Sequence, residues 1–249
     1  MRRSILLPHR LPRPGRGRGV IPRISTAPGV FETQPADRKI DRHLHRHAYV
    51  SLVLAGGYLE AGDEGRRIVE PGDLLVHDAF ESHTNEISAK GARMLNLTLG
   101  LQGTGRLRAG RVRDLDAVIR TAERDPVEAW IHVEEDLDPV VRRQSDWPDE
   151  LALALQGDPT QRLGVWAEKR GLSAEEVSRG FRLAYRTTPK QFRAMARAKG
   201  AGRALCAGRP VADVIGQFGF SDQAHLCRAI RALTGMPPRR LMQVYSIRP

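Results

Sequence analysis

Two stretches of the chain carry one pattern. The first is Leu163-Gly164-Val165-Trp166-Ala167-Glu168-Lys169-Arg170-Gly171-Leu172-Ser173, running on through Val177, Arg179, Phe181 and Arg182. The second is Val211-Ala212-Asp213-Val214-Ile215-Gly216-Gln217-Phe218-Gly219-Phe220-Ser221, running on through His225, Leu226, Arg228, Ile230 and Arg231. Each reads as a short amphipathic helix, a Gly-apolar-Ser corner and a second helix with an arginine six or seven residues past the serine. Gly171 and Gly219 suit the left-handed conformation that ends a helix. Leu172 and Phe220 pin the corners, and Ser173 and Ser221 are natural N-caps. Glu176, three residues after Ser173, completes a capping box. A tight corner of this kind sets a second helix at the angle that fits a DNA major groove.

Helical spacing sorts the second helices into faces. Val177 and Phe181 are the inward pair of the first, which leaves Arg179 and Arg182 outward. Leu226 and Ile230 are the inward pair of the second, which leaves Gln223 and Arg228 outward. Arginine pairs bidentately with guanine and glutamine with adenine, so these residue types suit base reading. Between the units, Thr188, Pro189 and Gln191 read as N-cap, first-turn proline and capping-box residue. The helix they open spans about 19 residues, roughly 28 Å at 1.5 Å per residue. One DNA turn is roughly 34 Å, so such a helix suits two recognition helices in successive major grooves. Gly200 and Gly202 weaken it by about 1 kcal/mol each relative to alanine.

Charge is distributed to match. The 249 residues carry a formal charge of +11. Residues 1–23 hold +7, residues 24–146 hold −5 and residues 147–249 hold +9. Basic charge confined to one region is the footprint of a polyanion binder. Residues 1–23, rich in Arg, Pro and Gly, read as a disordered basic arm. No apolar run approaches a membrane span, so no membrane is expected as a partner and a cytoplasmic location is. Cys206 and Cys227 read as buried thiols rather than a disulfide framework.

Residues 24–105 read as short strands. Tyr49 to Ala55 is β-rich and Gly56-Gly57 closes it; the residues around Gly62 to Gly65 and Pro71 to Asp73 are turns; residues 94–99 alternate apolar and polar. This predicts a small barrel or jelly roll. Residues 106–146 are expected to be a helical region: Val112, Leu115, Val118, Ile119 and Ala122 share a face that either covers the barrel or meets a second copy of the chain. A further helix starts at Pro126, and residues 145–148 read as a linker. The fold class is therefore α+β, a cupin-like sheet domain followed by an all-α domain at 147–249.

Residues 147–246 resemble the AraC/XylS transcription regulators. The most specific portion is Gly219-Phe220-Ser221-Asp222-Gln223-Ala224-His225 with Arg228, followed by Leu233-Thr234-Gly235-Met236-Pro237-Pro238. Arg179, Phe181, residues 188–192, Arg197 and Ala201 also match. The resemblance implies a two-unit helical DNA-binding module joined to an effector-sensing or dimerisation domain. By position, Glu175, Ser178 and Arg179 would face double-stranded DNA from the first unit, and Gln223, Ala224 and Arg228 from the second; Arg182 and His225 complete the candidate set. The chain departs from the family pattern at Gly216, where alanine is usual, at Leu226 and Ile230, where aromatics are usual, and at Gly200 and Gly202.

The front domain resembles the cupin-like sensor domains of the same family through His45-Arg46-His47, the Pro71-Gly72-Asp73 turn and His83 before Asn85. Metal-binding cupins follow the His-x-His with a glutamate, and residues 49–52 here hold no acid. His45, His47 and His83 are the candidate effector-pocket residues and the candidate metal ligands, with His77 as a further imidazole. No cofactor and no catalysis are expected, and no Gly-x-Ser-x-Gly or phosphate-binding loop is present. The expected function is an effector-responsive, sequence-specific transcription regulator of DNA, acting as an activator and as a homodimer, with a small-molecule effector and RNA polymerase as further partners. The alternative is a metal-dependent cupin enzyme with an accessory helical domain.

Overall fold

A computed structural model of the chain describes residues 23–25, 30–98, 109–135, 137–138, 146–158 and 160–245. The expected basic arm thus lies outside the described residues, apart from Arg23. The first half is a nine-stranded sheet and the second half is helical.

Two long strands organise the sheet: β4 (Tyr49–Gly62) and β7 (Ser82–Thr98) run antiparallel along most of their length. Around them lie β1 (Arg23–Ser25), β2 (Phe31–Gln34), β3 (Lys39–His45), β5 (Gly65–Val69), β6 (Asp73–His77), β8 (Ala109–Val112) and β9 (Leu137–Asp138). The hydrogen-bonded path runs β1-β3-β7-β4-β6-β8-β9, with β2 on β7 and β5 on β4. Among the described residues the hydrogen-bonded path runs from β1 to β9 without closing on itself, and the expected order of a sheet domain followed by a helical one is present.

Gly56 and Gly57 do not end a strand, as expected from sequence; β4 passes through them with register shifts at Val53/Ala55 and Gly56/Tyr58. Gly56 has φ +72°, and a Cβ there would sit 2.0 Å from the Gly91 carbonyl oxygen, so the pair bends the strand where two backbones touch. The bend lets β4 pair first with β6 and then with β5. The β4–β5 hairpin turns through Asp63 and Glu64.

Alternation along the strands buries both faces. Val50, Leu52, Leu74, Val76, Leu95 and Leu97 form a core with Val118, Ala122, Ala129 and Val133 of α1 (Leu115–Ala122) and α2 (Pro126–Glu135). Val53, Tyr58, Val69, Leu75, Ile87 and Met94 form the core of the opposite face. One expectation is corrected here: the sheet domain does not stop at 105, because β8 pairs with β6 and β9 with β8. Of the two roles expected for the apolar face of α1, the structure has it covering its own sheet.

The helical domain begins at once. Asp146 caps α3 (Trp147–Gly157) with a capping box and Pro148 in its first turn, so residues 146–148, expected to belong to a linker, start a helix. Then come α4 (Leu163–Glu168), α5 (Ala174–Tyr185), α6 (Pro189–Cys206), α7 (Val211–Gln217), α8 (Gln223–Thr234) and α9 (Pro238–Tyr245). Two cores form. Leu151, Leu155, Trp166, Val177, Phe181, Tyr185 and Phe192 make the first, joined by Ala61 of the sheet. Ala201, Leu205, Val214, Phe220, Leu226, Ile230 and Leu241 make the second, joined by Leu44 of β3 and Phe80 of the turn between β6 and β7. No helix among the described residues is long and apolar enough to cross a membrane.

Candidate nucleic-acid interface and histidine pocket

The two helix corners are built alike. Gly171 and Gly219 take φ +64° and +66°. The next residue's amide reaches back over the corner in each: Leu172 N–H to the Ala167 carbonyl and Phe220 N–H to the Ile215 carbonyl, both 3.0 Å. In the first unit Ser173 caps α5, its hydroxyl accepting from Glu176 N–H at 3.2 Å while the Glu176 carboxylate accepts from Ser173 N–H at 2.8 Å. In the second unit the cap falls one residue later than expected: Asp222, not Ser221, accepts from His225 N–H at 2.6 Å. A carboxylate is the stronger acceptor for these amides, and it also sits favourably at the positive end of the helix.

Val177, Phe181 and Tyr185 bury one face of α5, leaving Glu175, Arg179 and Arg182 exposed and Ser178 half-buried. Arg179 Nη1 lies 3.8 Å from Glu175, so the acid stands beside a base on this surface. On α8, Leu226, Ile230 and Leu233 are buried, and Gln223, Ala224, Arg228 and Arg231 are exposed. Arg231, absent from the sequence-derived site, lies three residues after Arg228 and so on the neighbouring face. His225 stands apart from that outward set. It is half-buried in the corner, edge-on to Phe220, with Nδ1 3.2 Å from Ser221 Oγ and Nε2 3.4 Å from Arg197. Arg197 of α6 stacks its guanidinium 4.7 Å over Phe220 and donates to the Gly219 carbonyl at 3.3 Å. Phe220, His225 and Arg197 thus hold the second corner to the connecting helix.

That helix, α6, has 18 residues, opened by the expected Thr188–Gln191 capping box. Its glycines are close-approach points rather than weak ones. A Cβ at Gly200 would stand 2.5 Å from the Phe218 ring, and one at Gly202 3.3 Å from Leu241.

In the sheet domain, imidazoles from three strands converge. His43 and His45 project from β3, His77 from β6 and His83 from β7, beside Tyr49 and Glu60 of β4. His83 is central: its ring centroid is 4.3 Å from His43, 4.6 Å from His77 and 5.5 Å from His45. Tyr49 stacks on His77 at 4.6 Å, its hydroxyl 3.4 Å from His83 Nε2. Ligand-capable atoms of His43, His45 and His83 lie within 4.8 Å of one another, and so do those of Glu60, His77 and His83. Burial lowers the pKa of His43 and His83 and takes His77 down to about 3. Burial, with the nearby Glu81 charge, raises Glu60 to about 8.

Two sequence expectations are corrected by this pocket. His47 is exposed and outside it, because β3 ends at His45 and the chain turns away. The strand alternation pairs His45 with His43 instead. The acid missing after the His-x-His is supplied by Glu60, further along β4 past its bulges. Sequence spacing hid it because a bulge resets which residues share a face.

Residues 166–243 match the sequence model of a helix-turn-helix domain family. No curated protein sequence matches the chain. Among solved structures, an apo form of ToxT from Vibrio cholerae strain SCE256 aligns at 8% identity over 89% of this chain and 100% of that one, with a TM-score of 0.41. KdgF from Halomonas sp. aligns at 17% identity over 26% of this chain and 59% of that one, with a TM-score of 0.25. Likenesses this loose say nothing about ligands or residue roles. The matched domain and the two exposed second helices define a DNA-binding transcription regulator. Its double helix-turn-helix domain is of the AraC type. The helical half is thus a DNA-binding module.

Proposed function

We propose that the chain is an effector-responsive, sequence-specific regulator that lays α5 and α8 into successive major grooves of double-stranded DNA. Glu175, Ser178, Arg179 and Arg182 face DNA from the first helix, and Gln223, Ala224 and Arg228 from the second. His225 acts from within the corner, orienting α8. The observation that carries this reading is the pair of matched corners, each closed by the same backbone bond and each leaving an exposed arginine-bearing face. An 18-residue helix joining them is about 27 Å long, a fraction of a turn short of DNA's repeat. The sheet domain, packed on both units and holding a lined pocket, is the sensing part. Acting on DNA places the protein with the chromosome, in the cytoplasm.

Selection of bound sequences from random DNA by the full chain at physiological salt tests this. Two preferred blocks about one helical turn apart are expected. Binding without sequence preference, falling steeply with salt, would overturn it, since that is phosphate contact alone.

A further inference from the structure

The histidine pocket is over-supplied with donors for a packing feature. Glu60 Oε2, His83 Nδ1 and Asn85 Oδ1 are buried there without a hydrogen-bond partner. Glu60 and Asn85 are cross-strand neighbours between β4 and β7. His77 Nε2 lies 3.6 Å from Glu60 Oε2. Leaving a buried polar atom unmade costs roughly 1–3 kcal/mol, and such atoms cluster here. A cation that takes lone pairs from His83 and Glu60 satisfies both of these orphaned groups at once.

We propose that this pocket binds one divalent transition-metal cation at His83, with its further donors drawn from the two trios that share that residue, His43–His45–His83 and Glu60–His77–His83, and that this cation is the effector the regulator reads. Nitrogen-rich donor sets favour zinc, iron, nickel or copper over magnesium and calcium, which take oxygen. Bonds of about 2.0–2.1 Å place tetrahedral donors about 3.4 Å apart. Within each trio the donors, now within 4.8 Å of one another, reach that by shifts on the order of an ångström.

Those shifts bear on the helical domain, because the donors alternate with the residues that grip it. Arg42, beside His43, is buried and donates to the Ala61 carbonyl at 3.1 Å, to Asp63 at 3.1 Å, to the Ser82 carbonyl at 2.8 Å and to the Tyr185 carbonyl at 3.4 Å. Ala61 follows Glu60, Ser82 precedes His83, and Tyr185 is the last residue of α5. Asp63 also takes Lys199 of α6. Drawing His43, His83 and Glu60 together therefore moves Arg42 itself and two of its acceptors, Ala61 and Ser82, and with them the guanidinium that holds the end of the first recognition helix. The effector role rests on the regulator reading above; the cation site does not.

The test uses the full chain stripped with EDTA and titrated with Co²⁺, whose visible absorption reports nitrogen ligation. One Co²⁺ per chain is expected. Glu60→Gln, which keeps the shape and removes the charge, should weaken it by at least the roughly 10–100-fold that losing even an outer partner costs. His43→Asn should do the same, and is the variant to read where Glu60→Gln fails to fold by circular dichroism. Exposed His47→Ala should leave binding unchanged. Affinity for the selected DNA site should shift about 5–150-fold on adding Zn²⁺, in either direction, and not in Glu60→Gln. Absence of Co²⁺ absorption, or equal loss with His47→Ala, overturns the site. Metal bound with DNA affinity unchanged overturns the effector role. A DNA site selected by a chain that ignores metal sinks this inference alone; metal bound by a chain that selects no DNA site sinks the regulator reading and the effector role with it.

Discussion

Arg228 stands exposed on α8, two residues after buried Leu226 and two before buried Ile230. Its guanidinium matches the two acceptors of a guanine edge. Arg228→Ala should cost about 1–3 kcal/mol at the selected site and relax preference at one position. Competition binding against single-base variants of the site reads this out, and an equal loss on every sequence would show a phosphate contact instead. The outward residues of both helices were legible from spacing because a helix repeats every 3.6 residues and its buried pairs announce the opposite face. His225 was less so: periodicity leaves it at the edge of the outward set, and only the Phe220 ring and Arg197 show that it belongs to the corner. In the sheet domain the period is two, and a single bulge inverts it. His47 was therefore expected in the pocket and His43 and Glu60 were not.

At the scale of elements, two glycines that look alike in sequence have opposite meanings. Gly200 in α6 faces the Phe218 ring, whereas Gly216 in α7 would present a Cβ to open space. Gly216→Ala should stabilise the domain by about 1 kcal/mol, the helix-propensity difference alone. Gly200→Ala gains the same preference but meets overpacking worth about 1–3 kcal/mol, so it should be neutral to destabilising. Urea midpoints of the two variants against the parent decide it. A gain at Gly200 equal to that at Gly216 would show that close approach is not why glycine stands there. The helices, their caps and their order were readable because caps and corners are local chemistry. The cap fell on Asp222, one residue past the expected serine, since both side chains are competent caps and spacing alone does not choose between them. Strand ends were less readable, since whether Gly56-Gly57 stops a strand or bends it depends on Gly91, 35 positions away.

For the whole molecule, the contact between sheet and helices is built on carboxylates. Asp63 meets Lys199, with side chains 6% and 9% exposed; Asp149 of α3 meets Arg66 of β5 at 3.0 Å and accepts from the Tyr185 hydroxyl at 2.6 Å; Glu86 of β7 pairs with Arg186 at the end of α5. Burial would raise Asp63 and Asp149, but their bonded cations, with Tyr185 for Asp149, outweigh it and hold both below the usual range. The Arg186 hydrogen bond does the same for Glu86. A carboxylate with a depressed folded-state pKa contributes stability that is fully present above its unfolded value and is lost as pH falls through the folded one. All three therefore act in the same direction. From neutral pH to about 5 the domain contact should be constant, and below about pH 4, the ordinary carboxylate range, it should weaken as the three protonate. Asp63→Ala should mimic part of this at neutral pH, since it leaves Arg42 and Lys199 buried without their shared acid, a loss on the order of 3–5 kcal/mol. Thermal unfolding followed at the tryptophans, which all lie in α2, α3 and α4, and by small-angle scattering gives the readout. The parent at neutral pH should unfold in one step; in acid, or with Asp63→Ala, the helical domain should separate from the sheet before either melts. A parent whose unfolding midpoint is as high at pH 3.5 as at pH 7 would show that these carboxylates do not hold the two halves together.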